Sequence, residues 1–416
     1  MFRINLFLKF NIFLKALFIN LENEYILKRI NKIFLKQSKK KRIIFTNQCR
    51  VAFLFLLKYF KIKYKEKNEI IFVSYNLAEM VNVAKNLNFK IKFIDLNYKS
   101  GNIDINNLNS LINKKTCAVV LTNMFNDYQI TKKIKYITKK NKINLIEDNA
   151  IYFDNYTKQK KNKIYSGQTG DYSIYSFNIM KHISAFYGGA IATNDIKFYN
   201  YLSEESKKLI NFPKIKLFKQ ILIFFILKIM SINFLYKLVF IHIIKFAHTH
   251  NVKFILALFY PSLRFKKYSF NYSYFSSISN LSLQSILYQV ENKDERMKNF
   301  LDRKKKNIYY QKKFKLFKSK KISLIPIKDF NYQNFIDFPL LIKNKESLNK
   351  FLLKKGFEIR YIYYKNCEKI FKPNSKKCIN SQKYEDELIC LPNHRKINFS
   401  YIDDLIQNIK VFYSSK

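Results

Sequence analysis

The sequence predicts an α/β protein, with a large domain around a mostly parallel central sheet and a smaller C-terminal α+β domain. Three observations carry that expectation. Between about Lys41 and Asp195, short β-rich runs alternate with helical stretches, the order that a parallel sheet requires because each crossover needs a long connection. The chain has 416 residues and is 48% hydrophobic, long for one domain and sufficient for a sizeable core. After Ser279 the pattern changes to a long charged helix followed by mixed strand and helix.

Residues 1–40 read as a basic, apolar arm. Its start, MFRINLFLKFNIFLKALFIN, is interrupted by Lys9 and Lys15 and lacks a small-residue cleavage site, which argues against a secretory signal and for an amphipathic arm or docking helix. The large domain is expected over 41–275. Strands are predicted at 70–74, 89–96, 117–122 and 143–148, then at 171–177 and 188–195 on either side of a loop that holds Lys181. Helices are predicted at 51–61 and 77–87, where apolar residues recur at helical spacing.

Residues 205–262 form an apolar helical insertion in this domain. Lysines recur through its centre, 214–247, and no uncharged run reaches the length of a bilayer span. Two readings follow: helices packed on the enzyme or its partner subunit, which we favour, and an interfacial helix in peripheral contact with a membrane. The small domain is expected over 276–416. It contains one charged helix from Ser279 to about Phe314, apolar runs at 335–342 and 347–356, Gly356 at a helix C-cap, and a last helix at 401–413.

Net charge is +48, from 77 Lys and Arg against 29 Asp and Glu. Such an excess raises nucleic acid as a partner. The cations, however, are nearly all lysine and are spread along the whole chain, whereas a nucleic-acid footprint clusters its charge and favours Arg. No nucleic-acid partner is expected. Five cysteines without a CxxC spacing suggest neither a disulfide framework nor a zinc ribbon and fit a reducing cytoplasm. His242, His248, His250 and His394 lack metal-ligand spacing, so no metal site is expected.

Asp148 ends the apolar run NLIED, which puts its carboxylate at the carboxyl edge of the sheet, where open α/β folds bind ligands. There it can pair with a protonated ring nitrogen. Lys181 lies in YSFNIMKHISAFYGGA, a loop poor in other charge, where burial lowers an amine's pKa and makes it a nucleophile. Ser176 stands five residues upstream with a hydroxyl for a phosphate, and Gly188 and Gly189 permit close backbone approach. Taken singly, Asp148 reads as a turn residue and Lys181 as one surface lysine among many. Their register changes that reading.

The segment resembles the DegT/DnrJ/EryC1/StrS family of pyridoxal-phosphate-dependent sugar aminotransferases. Ser176, Phe177, Lys181, Gly188, Gly189 and Ala190 match the family's Ser-Phe-x-x-x-Lys and Gly-Gly-Ala motif without a gap. NLIEDNA resembles its Glu-Asp strand end, and Gly170 and Asp171 match the lead-in to the serine. Similarity extends over roughly 40–200 and 275–413, with LPNHRK near the C-terminus. The resemblance implies the fold-type I architecture of these transferases, with Lys181 as the catalytic residue and covalent anchor of pyridoxal 5'-phosphate. It implies Asp148 on the pyridine nitrogen and Ser176 on the phosphate. Backbone N–H groups of Cys49, Arg50 and Val51, at a helix N-terminus, would complete the phosphate cradle.

The resemblance further implies a nucleotide-linked keto-sugar as acceptor, glutamate or glutamine as donor, and a homodimer. Arg50 and Arg360 are candidates for the sugar diphosphate. Ile151 and Leu77 depart from the family where Gln or His and a ring-stacking side chain are usual, Phe186 and Tyr187 replace smaller or acidic residues, and the cradle lacks Ser-Gly-Thr. Two alternatives stand beside transamination. A dehydrating branch of the family carries histidine in place of the lysine, which draws notice to His182; a non-catalytic, membrane-associated relative is the other.

Overall fold

A seven-stranded sheet organises the first half of the chain. Its strands are β1 (Arg42–Thr46), β2 (Glu69–Val73), β3 (Lys90–Ile94), β4 (Thr116–Thr122), β5 (Asn144–Asp148), β6 (Tyr172–Ser176) and β7 (Gly189–Thr193). They lie in the order β1-β7-β6-β5-β4-β2-β3. Only β7 runs against its neighbours; the pairs from β6 to β3 are parallel. Every residue of β2, β4 and β7 is buried, which is why runs such as CAVVL lack alternation: helices cover both faces. The computed structural model describes the chain apart from residues 1, 5, 20, 261–262, 264, 266–274, 318 and 415–416. The end of the expected 205–262 insertion, the residues before the expected boundary at 275, and parts of the 1–40 arm therefore lie outside the described residues.

The six strands read from the sequence are present within two residues of their expected ends. β1 was not expected. In its short run RIIFT only Arg42 is exposed, and it becomes a strand by pairing with β7. Helices α1 (Phe10–Phe18), α2 (Asn23–Ser38), α3 (Cys49–Lys63), α4 (Ala78–Asn86), α5 (Tyr128–Lys140) and α6 (Ile196–Lys207) accompany the sheet. Val51 to Leu57 of α3 are all buried, as expected of a helix with apolar residues all round that sits inside the protein.

The apolar insertion forms α7 (Lys214–Met230), α8 (Ile241–Thr249), which continues a helical stretch begun at Asn233, and α9 (Lys253–Phe259). α7 and the 233–249 stretch meet at 82°, and no single described helix is long and apolar enough to cross a membrane. The expected single helix from Ser279 is instead two, α10 (Asn280–Glu291) and α11 (Lys293–Lys315). Asn292 breaks it: with φ −77° and ψ 71°, its side chain accepts from the N–H of Glu295 and caps α11. The C-terminal part adds an antiparallel sheet of β8 (Ile322–Leu324), β9 (Phe338–Ile342) and β10 (Leu388–Leu391). It also carries α12 (Lys345–Lys354) and the last helix, α13 (Phe399–Ser414). Gly356 follows α12 with φ +84°, the left-handed conformation that glycine reaches without a Cβ penalty.

The N-terminal arm threads into this body. Phe2, Ile4, Leu6 and Leu8 are buried in one cluster with Phe13 of α1 and with Phe224 and Leu227 of α7. Arg3 holds the arm in place: its side chain and Glu358 form an ion pair at 3.2 Å, each 1% exposed. The backbone N–H of Arg3 and the hydroxyl of Tyr236 also donate to Glu358, at 3.2 and 3.0 Å. Removing one partner of a buried pair leaves the other charge uncompensated. Glu358→Ala is expected to lower unfolding stability by about 3–5 kcal/mol, read from the denaturant midpoint. A loss under about 1 kcal/mol would mean that the apolar cluster holds the arm without the pair.

Candidate active site

Asp148 is the last residue of β5, at the carboxyl edge of the sheet. It is 5% exposed, and one carboxylate oxygen accepts from the N–H of Ala150 at 2.9 Å. Burial lifts its pKa above the usual carboxylate value, opposed by that N–H and by the positive charge of Lys181. Lys181 lies in the loop from β6 to β7, its own N–H donating to the carbonyl of Asn178 at 2.9 Å. Desolvation lowers the pKa of its amine to about 8. Asp148 and Cys49 pull it back up, while Arg360 and Arg50 add to the lowering. A lysine with ordinary exposure would stay protonated at pH 8; this one is half neutral there.

Ser176 ends β6, directly opposite Gly189 in register. With Lys181, His182 and Ile151 it lines a small pocket. Gly189 explains how the start of α3 reaches this place. A Cβ there would stand 2.2 Å from the nitrogen of Cys49 and 2.3 Å from the carbonyl carbon of Gln48, so backbone packs on backbone only because the position is glycine. At Gly188 the nearest atom would be the Cβ of Phe177, at 3.0 Å. The N-terminus of α3 has neither a side-chain cap nor an acidic residue in its first turn, which suits it to an anion. Of the three expected cradle residues, Val51 needs correction: its N–H already donates to the carbonyl of Gln48 at 3.0 Å, a bond that closes the helix's first turn.

Gly170 and Asp171 stand at the opposite edge of the sheet and are structural. Glu147, fully buried, accepts from the N–H of Gly170 at 2.5 Å and of Gly167 at 3.3 Å. Asp171 exchanges hydrogen bonds with the backbone of Leu145. A groove opens at that edge, but its cations are spoken for: Lys63 pairs with Asp195, Lys135 with Asp171, and Lys40 donates to the carbonyls of Gln168 and Gly170.

The segment 360–364, from the C-terminal part, brings Arg360 and Tyr364 near the site, and its tyrosines were not singled out by sequence reasoning. Arg360 is tied to Asp337 at 3.0 Å and lies over the ring of Tyr363 at 5.2 Å. It stands near enough to Lys181 to lower its pKa. Tyr364 is near enough to Asp148 for that charge to disfavour ionisation of its phenol. The run RYIYY was visible, but nothing in its spacing tied it to a lysine some 180 residues upstream. His182 sits beside Lys181 with its Nε2 buried and unbonded, its ring edge-on to Phe7 at 5.2 Å. Burial holds its pKa well below the usual histidine value.

The departures at Phe186 and Tyr187 acquire a reason here. Phe186 packs on Phe13 of α1 and Phe224 of α7, at 5.5 and 5.7 Å, and Tyr187 on Phe212 at 5.0 Å. The two rings are sockets for the arm and the insertion.

Residues 24–208 match the model of the DegT/DnrJ/EryC1/StrS aminotransferase family. Over that segment, which carries the central sheet, Asp148 and Lys181, the chain is similar to this family. A GDP-4-keto-6-deoxy-D-mannose 3-dehydratase from Yersinia pseudotuberculosis is 28% identical over 159 residues, 38% of this chain and 38% of that protein. The chain thus matches well under half the length of this curated relative. Among solved structures, the aminotransferase PseC of Helicobacter pylori, involved in the biosynthesis of pseudoaminic acid, superposes with a TM-score of 0.70 at 17% identity. That match covers 98% of this chain and 96% of PseC. The Escherichia coli GDP-4-keto-6-deoxy-D-mannose-3-dehydratase, solved with hydrated PLP, gives 0.66 at 18% identity, covering 98% and 100%. The expected fold-type I architecture is the one found.

Two measurements test this site. Reductive methylation followed by peptide mass analysis should modify Lys181 with a midpoint near pH 8, ahead of ordinary lysines. Asp148→Asn should move that midpoint lower, because the carboxylate favours the charged amine; a midpoint that stays put would place the two groups out of contact. Gly189→Ala is expected to cost about 3 kcal/mol or more through overpacking, and an unchanged melting temperature would refute the close approach.

Proposed function

We propose that the protein is a pyridoxal-phosphate-dependent aminotransferase that converts a nucleotide-linked keto-sugar to an amino sugar, with glutamate or glutamine as donor. The observation that carries this reading is the desolvated amine of Lys181 beside the buried carboxylate of Asp148. The donor set suits that cofactor. Lys181 offers the amine that anchors an aldehyde, Asp148 a carboxylate for a protonated ring nitrogen, and Ser176 with the start of α3 a cradle for phosphate. When bound, pyridoxal phosphate supplies a carbonyl that takes up an amino group and a ring that draws electrons from the substrate carbon.

With the cofactor bound, the Lys181 amine would be the group placed to take a proton from the substrate carbon and return it at a neighbouring atom. A pKa near 8 suits a group that must accept and release a proton close to neutral pH. Asp148, held in place by the N–H of Ala150, would hold a proton on the ring nitrogen of the bound cofactor. Arg360, fixed by Asp337, adds a positive charge for an anionic substrate group. By family resemblance the active form is a cytoplasmic homodimer.

A second reading, removal of a sugar hydroxyl, is favoured by the matched curated relatives, which are dehydratases, and by the buried, unbonded Nε2 of His182. Full-length protein with pyridoxal phosphate, glutamate and a panel of nucleotide 4-keto- and 3-keto-sugars separates the two by product mass. Transamination exchanges a carbonyl oxygen for an amine, whereas dehydration removes a hydroxyl oxygen. Lys181→Ala should lower amination by about a thousandfold or more, while His182→Asn should leave most of it. A deoxygenated product that survives Lys181→Ala and disappears in His182→Asn would overturn the proposal.

A further inference from the structure

Most folded chains scatter their exposed apolar side chains. Here, among the described residues, 15 of 29 exposed large hydrophobics lie between Ile210 and Leu263. On α7, Gln220, Phe224, Leu227 and Met230 face the protein, while Ile215, Phe218, Leu222, Ile226 and Ile229 form a second apolar stripe on the solvent side. After the bend the exposed stripe continues through Phe234 and Leu238 to Phe254, which is 80% exposed. α1 extends the patch. Phe10 and Phe13 contact Phe225 of α7, and Phe18 beyond them is 77% exposed.

Charge settles what such a face fits. From Ser206 to Val290 the chain has 12 Lys and Arg and no Asp or Glu. Lys214, Lys219, Lys237 and Lys253 are exposed among the apolar side chains. We propose that α1, α7, the 233–249 stretch and α9 form a surface that seats the protein on a membrane rich in anionic lipid, with the apolar side chains at headgroup depth.

The 82° bend and the buried inner faces of these helices make the protein lie on the bilayer, because a spanning segment would have to leave the core it packs against. A second copy docked by the same face across a two-fold axis would meet only like charges, whereas anionic headgroups supply the missing countercharge. Nucleic acid would match the lysines but not the exposed rings and aliphatic stripes.

Flotation of the full-length protein with phosphatidylcholine vesicles, alone or mixed with phosphatidylglycerol, tests this. Bound protein should rise at least about tenfold with the anionic lipid and fall as salt is raised. A Leu222→Glu/Phe234→Glu variant should lose binding while its circular dichroism stays native, since both side chains are exposed. Replacing Lys214, Lys219, Lys237 and Lys253 by Gln should remove the preference for anionic vesicles. Protein that stays unbound, or that binds neutral and anionic vesicles equally, would overturn the proposal. So would light scattering in which the Glu variant splits an oligomer but still floats, because the face would then join copies of the chain.

Discussion

Backbone meets backbone where the first turn of α3 crosses the start of β7, and the missing Cβ of Gly189 makes that crossing possible. The rest of the site hangs on it. Gly189 stands opposite Ser176 in one direction and Thr46 in the other, so the same residue aligns β1, β6 and the α3 N-terminus. The loop with Lys181 then has little choice of position: it leaves β6 at Ser176 and must return to β7 at Gly189. Any side chain there would push α3 away and take with it the dipole end that lies near Lys181.

Desolvation governs the chemistry mounted on this frame. Burial raises the pKa of Asp148 and lowers that of Lys181, and each partner's charge opposes the shift of the other. A pair held so is costly to bury and is weak evidence for stability; its effect is to poise an amine near neutral pH. The positive charges of Arg50 and Arg360 push in the same direction as burial. Arg360 comes from a strand-flanking segment far along the chain, bonded by its backbone to Cys390 in both directions, so the C-terminal part tunes a lysine of the central sheet.

The arm and the insertion form one unit in the fold. Phe13, Phe186 and Phe224 share a cluster, and Phe7 of the arm meets His182 next to the lysine. Residues that depart from the family pattern around the two glycines therefore answer to packing demands made by helices that the pattern does not include. The same helices show apolar side chains on both faces, so their burial on the protein uses only half of what they carry.

Much of this was legible in the linear chain. Apolar runs ending at Asp148 and Ser176 marked strands of the parallel sheet, and the interval from Ser176 through Lys181 to Gly189 singled out one lysine among dozens, because both are local patterns written in consecutive residues. What stayed hidden depends on local hydrogen-bond geometry that spacing does not record, or on contact between distant segments. β1 is a strand through its pairing with β7, Asn292 divides a helix because its side chain finds a cap, Val51 is withdrawn from the cradle by a bond to Gln48, and the segment 360–364 reaches Lys181 only once the C-terminal part folds onto the sheet. Sequence spacing records the period of a helix or strand and the register of a loop. The lowered pKa of Lys181 comes from burial and from charges brought near by folding, and those were for the tertiary structure to decide.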